Sequence, residues 1–209
     1  MAMMDSKTKT HFTGTRKKTY TLLINAALEL FEQRAIPSVS ELAMHTGVSR
    51  ATAYRYFPTQ SDLIDAIVGA SLGPILTWKP ASEKTEERIT ELLDFAYPRM
   101  FQHEGVLRAA LLVSLQQWVQ GCLSEDKQEK KLVRGHRKDI LAMVVEPLKG
   151  HFPPDTLENV IRSFSLIYGS EVFLVMKDIW RMDNAEIIEI TKWMAKAIIN
   201  QAHRDSESA

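Results

Sequence analysis

Residues 38–57 read SVSELAMHTGVSRATAYRYF, from Ser38 to Phe57, and this stretch decides the fold. Ser38 is followed three residues later by Glu41. That is the spacing of a capping box, in which a hydroxyl and a carboxylate satisfy amides that the first helical turn leaves without partners. Val39, Leu42 and Ala43 then point inward. The helix is short, because Gly47 follows Thr46 and takes the left-handed conformation that stops a helix. Ser49 is an N-cap for the next short helix, Arg50 to Tyr56. Two short helices joined by a glycine turn are a helix-turn-helix, whose second helix enters the major groove of DNA. Ala43 is small where the helices approach, and Val48 plugs the gap between them. The second helix presents Arg50, Thr52, Tyr54, Arg55 and Tyr56 outward. Arginine reads guanine edges, threonine contacts a phosphate or a thymine methyl, and tyrosine hydroxyls bind phosphate oxygens. The same pattern also serves as an ordinary helical corner. In that alternative, Tyr54 and Phe57 belong partly to a core, and Ala51 is a close-approach position.

Working outward, the chain reads as all-α, since β-branched residues nowhere alternate usefully with polar ones. Upstream, Tyr20, Leu23, Ala27, Leu30 and Phe31 give one buried face to a helix from Arg16 to Arg34, ended by Pro37. Downstream, Leu63, Ile64, Ile67 and Val68 define a fourth helix reaching Leu72 or Ile75. A longer helical body follows. One helix is expected from Glu83 to His103, kinked at Pro98, and another from Val106 to Val119. Glu125 to Lys138 reads as a charged surface stretch, and Ile140 to Leu148 as a short apolar helix. Asp155 with Glu158, and Asp183 with Glu186, have capping-box spacing. They predict a long helix from Asp155 to Arg181 and a last helix to about Ala202. The predicted organisation is a basic arm over 1–15, a helix-turn-helix domain over 16–60, and a helical ligand-binding and dimerisation domain over 61–205.

The 26 basic and 26 acidic side chains cancel, but they are unevenly distributed. Residues 1–57 hold eight basic against four acidic side chains, a net +4, and the remainder carries −4. A basic head attracts phosphate backbones, and an acidic body is kept away from them. A solvated tail with scattered lysines is the plainer alternative. The single cysteine, Cys122, cannot form an intramolecular disulfide, which suits a reducing cytoplasm. The first fifteen residues are polar and basic, unlike a secretion signal, and no apolar run is long enough for a membrane span.

The combination of AALELF (Ala26–Phe31), ELA (Glu41–Ala43), GVS (Gly47–Ser49) and YRYF (Tyr54–Phe57) resembles the TetR family of regulators over about residues 16–68. The resemblance implies a two-domain all-α homodimer. Its N-terminal helices bind a pseudo-palindromic operator in double-stranded DNA, and its body binds a small-molecule effector. Effector binding moves the linking helix and releases the DNA. The DNA-contacting positions it implies are Ser38, Ser40, Arg50, Ala51, Thr52, Tyr54, Arg55 and Tyr56. Two departures stand out. Relatives often place Pro-Ser-Lys after the phenylalanine, with the lysine on a phosphate, whereas this chain has Pro58, Thr59 and Gln60. The connection from Gln33 to Ser38 is also short, with Ala35 where glycine is common. The basic arm, including Lys17 and Lys18, can replace the missing contact.

In the body, Phe164, Tyr168, Val172, Val175 and Ile179 form one apolar stripe. Ile187, Thr191, Met194 and Ile198 share a face of the last helix. More apolar surface than one core needs points to a partner, and the resemblance implies that these helices build the dimer interface. Tyr97, Met100, Phe101, Trp118, Met143 and Phe164 are candidates for an apolar ligand pocket, with simple core as the alternative. No histidine–cysteine metal pattern, phosphate loop or nucleophile motif is present, so no catalytic residue, metal or cofactor is assigned. The sequence therefore points to a cytoplasmic DNA-binding regulator and leaves repression and activation open. A ligand-independent DNA-organising or division-control protein and an all-helical enzyme remain as alternatives.

Overall fold

The computed structural model describes residues 13–33, 36–123 and 136–207, and the regular elements among them are all helical. The chain divides into two compact units, residues 1–67 and 68–209, the division falling inside a single helix. Most of the expected arm, the Arg34–Ala35 step and most of the charged stretch after Leu123 lie outside the described residues.

The head comprises α1 (Gly14–Glu32), α2 (Val39–Thr46), α3 (Arg50–Tyr56) and the first part of α4 (Gln60–Leu76). Leu23, Ile24, Ala26, Ala27 and Phe31 are the buried residues of α1, at the three- and four-residue spacings that give a helix one inner face. Val39, Leu42 and Ala43 of α2, Ala53 of α3, and Phe57 beyond it complete the buried set with Leu63, Ile64 and Ile67 of α4. Burying each larger side chain contributes about 1.5–3 kcal/mol. Against the entropy of ordering a small unit, that makes every such residue matter.

The body comprises α5 (Thr85–Gln102), α6 (Glu104–Leu123), α7 (His136–Val144) and a 3-10 turn at Glu146–Leu148. It continues through α8 (Pro154–Ile167), α9 (Glu171–Phe173), a π-helical turn at Leu174–Ile179, and α10 (Asn184–Glu207). α10 packs along α5 and α8. Ile89, Leu92, Leu93, Ala96, Tyr97 and Met100 of α5 meet Val160, Phe164 and Ile167 of α8 and Ile187, Thr191, Ala195 and Ile199 of α10 in one core. The Tyr97 hydroxyl donates to the Ile167 carbonyl at 2.6 Å, which satisfies the one polar atom of an otherwise apolar buried ring. Burial pushes its pKa well above the ordinary value, so it stays a neutral donor.

The long helix expected from Asp155 to Arg181 does not form. α8 stops at Ile167, and Gly169 sits at φ 159°. A Cβ at Gly169 would overlap the Arg137 guanidinium, which lies against the break and donates to the Ser165 carbonyl at 3.0 Å and to Glu171 at 2.6 Å. Past the break the chain winds as a π-turn, whose wider repeat changes the phase of the side chains. The expected interface stripe is therefore divided. Phe164, Tyr168 and Val172 are buried in the core, as are Ile187 and Thr191, and Met194 and Ile198 are half-buried. Of the stripe only Val175 and Ile179 are exposed, joined by Leu166, Leu174, Trp180 and Trp193.

The expected ligand-pocket residues are divided as well. Tyr97, Met100 and Phe164 are core, and Phe101 and Met143 pack against it, with the Tyr97 and Phe101 ring centroids 5.4 Å apart. Trp118 does not join them, because it lies on an outer face of α6 at 69% exposure. The box expected from Asp155 and Glu158 is replaced by a start at Pro153–Pro154 without a side-chain cap, and Glu158 pairs with Arg162. The Asp183–Glu186 box does form, with Glu186 accepting from the Asp183 amide at 2.7 Å.

Candidate nucleic-acid interface

The two short helices owe their shape to local hydrogen bonds. The Ser38 hydroxyl accepts from the Glu41 amide at 3.2 Å, and the Glu41 carboxylate accepts from the Ser38 amide at 2.7 Å. These bonds hold the Glu41 carboxyl below the usual carboxylate range, the backbone amide of Ser38 contributing most. Gly47 ends α2 at φ 69°, and the Val48 amide donates back to the Ala43 carbonyl at 3.1 Å. A side chain at Gly47 would meet no neighbouring atom, so backbone strain alone demands glycine there. Ser49 then caps α3, accepting from the Thr52 amide at 3.2 Å.

With both ends of α2 and the start of α3 fixed, the outer face of α3 is set. Arg50, Ala51, Tyr54 and Arg55 are exposed, and Ala53 is fully buried against the rest of the head. Tyr54 is 44% exposed, and its hydroxyl lies 3.2 Å from the Ser40 hydroxyl, which ties the face of α3 to α2. Ser38 and Ser40 are half-buried, Ser38 being engaged in its cap. Thr52 is half-buried beside its own cap, where its Oγ1 accepts from Ser49 at 2.9 Å.

Tyr56 departs from the outward position expected of it. It is half-buried, its hydroxyl donates to the Arg16 carbonyl at 3.1 Å, and its ring joins Tyr20 and Phe57 in a cluster with centroids 5.8–6.4 Å apart. Burial raises the Tyr20 pKa. Tyr56 thus positions the start of α1 beside the end of α3. That brings Thr15, Arg16 and Thr19 together with Thr52, Arg55 and Tyr56 around a cleft of about 210 Å³. Local sequence signals carry no sign of this meeting, because the two ends are forty residues apart.

Arg16, Lys17, Lys18, Arg50 and Arg55 have no carboxylate partner among the described residues, and all five are exposed. Gln60, in the place where relatives carry a lysine, turns inward and donates to the Pro37 carbonyl at 2.9 Å. It braces the short connection into α2 instead of presenting a charge. The described part of the arm, Thr13 to Thr15, is exposed, and Lys7 and Lys9 lie outside the described residues.

The sequence profile of "Bacterial regulatory proteins, tetR family" matches residues 23–67, which run from α1 to α4 and include both capped helices, α2 and α3. The N-terminal domain belongs to the tetR family. Beyond that TetR domain the likeness is one of fold. A tetR-family transcriptional regulator from Streptomyces coelicolor superposes with a TM-score of 0.67 at 22% identity, over 94% of this chain and 86% of that one. A TetR transcriptional regulator from Rhodococcus sp. RHA1 superposes with a TM-score of 0.58 at 14% identity, over 89% of this chain and 97% of that one. No curated protein matches the chain significantly in sequence. Among the described residues no three His, Cys, Asp or Glu side chains gather to hold a metal, and no described helix is long and apolar enough to cross a membrane.

Proposed function

We propose that this chain is a cytoplasmic, non-catalytic transcription regulator that binds a pseudo-palindromic operator as a homodimer and represses until an effector occupies its body. One observation carries the DNA-binding part. A TetR domain holds a capped seven-residue helix whose Arg50, Tyr54 and Arg55 face outward, the two arginines without a carboxylate partner among the described residues. Such a helix can lie against base edges while phosphate contacts fix its register.

Dimerisation is supported by the exposed apolar side chains of the late body, above all Leu166 at 79%, Ile179 at 70% and Trp180 at 69%. Large apolar groups left this exposed support a surface meant to be covered. A dimer offers two reading heads about 34 Å apart, one turn of DNA, as a palindromic site requires. The effector and the repressing role rest on the family likeness.

Selection from random-sequence duplex DNA by the full-length chain tests this reading. It is expected to enrich a site with two-fold symmetry, and light scattering is expected to show a dimer at micromolar concentration. A pool without any enriched sequence would reject DNA reading, and a monomer bound to an asymmetric site would reject the dimer.

A further inference from the structure

We infer that the cleft between the first turns of α1 and the last turn of α3 holds one phosphate of the DNA backbone, gripped by Arg16 and Arg55. The inference rests on the DNA-binding reading and deepens it. Thr52, Arg55 and Tyr56 stand at i, i+3 and i+4, so they share one face of α3, and that face is turned towards Thr15, Arg16 and Thr19 of α1. The cleft they line is about 210 Å³, and no carboxylate lines it. Neither arginine has an ion-pair partner among the described residues.

The surrounding donors are arranged for an oxyanion. The Ser49 hydroxyl donates to Thr52 Oγ1, which leaves the Thr52 proton for an acceptor in the cleft. α1 starts without a side-chain cap at Thr13 and with no acidic residue in its first turn. Among the described residues, no side-chain cap or acidic group therefore offsets its first amides and the positive end of its dipole. Tyr56 holds the two halves together through the Arg16 carbonyl at 3.1 Å. An ion bound by two guanidinium groups, a hydroxyl and a helix start is a phosphate-type anion. Arg55 borders both this cleft and the exposed face of α3, so the phosphate it suits belongs to the strand flanking the groove being read, rather than to a free ion.

The test uses the full-length chain and a duplex it selects from random DNA. Failure to enrich any sequence would overturn the DNA reading and this inference with it. With an enriched duplex in hand, Arg16→Gln is expected to weaken binding roughly tenfold. It should also lower the slope of log affinity against log salt by about 0.9 per head. The preference for the selected duplex over a base-substituted one should stay as in the parent. Arg16→Lys should restore most of the slope. Replacing backbone phosphates one at a time by neutral methylphosphonate should reveal a position that weakens the parent and leaves Arg16→Gln unaffected. An unchanged affinity and slope in Arg16→Gln would overturn the inference while leaving DNA reading intact. So would a loss of base preference, or methylphosphonate losses that add to the variant's at every position. If inorganic phosphate, at constant ionic strength, protects the parent but not Arg16→Gln against heat, the site serves a free anion and the inference is wrong.

Discussion

In the body, four of the cations, Arg88, Arg108, Arg137 and Lys177, are tied to neighbouring elements. Arg108 bridges Glu104 at 2.9 Å and grips Asp178 with two bonds of 2.7 and 2.8 Å. Lys177 reaches the same Glu104 at 2.5 Å and lies over the Phe101 ring at 4.7 Å. Arg137 spans from the end of α8 to Glu171, and Arg88 joins the Ser82 and Met143 carbonyls. In the head, by contrast, Arg16, Lys17, Lys18, Arg50 and Arg55 meet no carboxylate among the described residues. Both regions use arginine freely, yet in one it closes gaps between helices and in the other it waits for an outside partner. The difference explains how a chain of zero net charge can hold a strongly phosphate-seeking end.

If the contrast is real, the same chemical change must do different things in the two regions. Arg50→Ala together with Arg55→Ala should cost roughly 2–6 kcal/mol of operator binding, about 1–3 kcal/mol for the Arg50 base contact and a similar loss for the charged contact of Arg55 with a phosphate, with the melting temperature unmoved. Gel shift and calorimetry check the pair. A melting temperature that falls with the affinity would mean that these arginines hold the head together. Arg137→Met in the body should show the reverse. It removes the bonds that Arg137 makes to Glu171 and to the Ser165 carbonyl, so about 2 kcal/mol of folding stability should be lost in a denaturant titration, with operator affinity unchanged below the transition.

Smaller changes sharpen the contrast. Ser38→Ala removes one cap of α2 and should cost about 1 kcal/mol of stability, together with the affinity that depends on α3 being propped in place. A stability equal to the parent's would show that the box is dispensable. The smallest effect concerns acid. Burial raises the Glu104 carboxyl pKa, but bonds from Lys177 and Arg108 outweigh it and leave the group below its ordinary 4.5. Arg108 likewise holds Asp178 below 3.8. A depressed folded pKa gives stability that is present above the unfolded value and is lost as pH falls through the folded one. The body should therefore weaken below about pH 4.5, and Glu104→Gln should flatten that part of the profile. A profile identical to the parent's would remove the network from the account.

The head was legible from its sequence because its signals are local. Ser38 with Glu41, Gly47 and Ser49 each act within a few residues of the turn they control. The body hides its phase, since Gly169 at the break lies against Arg137, more than thirty residues upstream, whose guanidinium fills the space a side chain would need. An apolar stripe projected through that break puts Phe164, Tyr168 and Val172 on a surface, when they are core, while Leu166 and Trp180, which lie off that stripe, are exposed. Trp118 was grouped with Tyr97 and Phe164 by residue type, although α6 turns it outward. The meeting of Arg16 with Arg55 around one cleft is likewise not legible in local sequence. It depends on Tyr56 reaching across forty residues to a backbone carbonyl.

The most direct test sets two salt titrations of the full-length chain side by side, one of affinity for its selected duplex and one of thermal stability. If unpaired head cations carry the binding, affinity should fall by roughly a thousandfold between 50 and 200 mM salt, while the melting temperature barely moves. Affinity that holds steady across that range would contradict the account, whatever the fold of the domain.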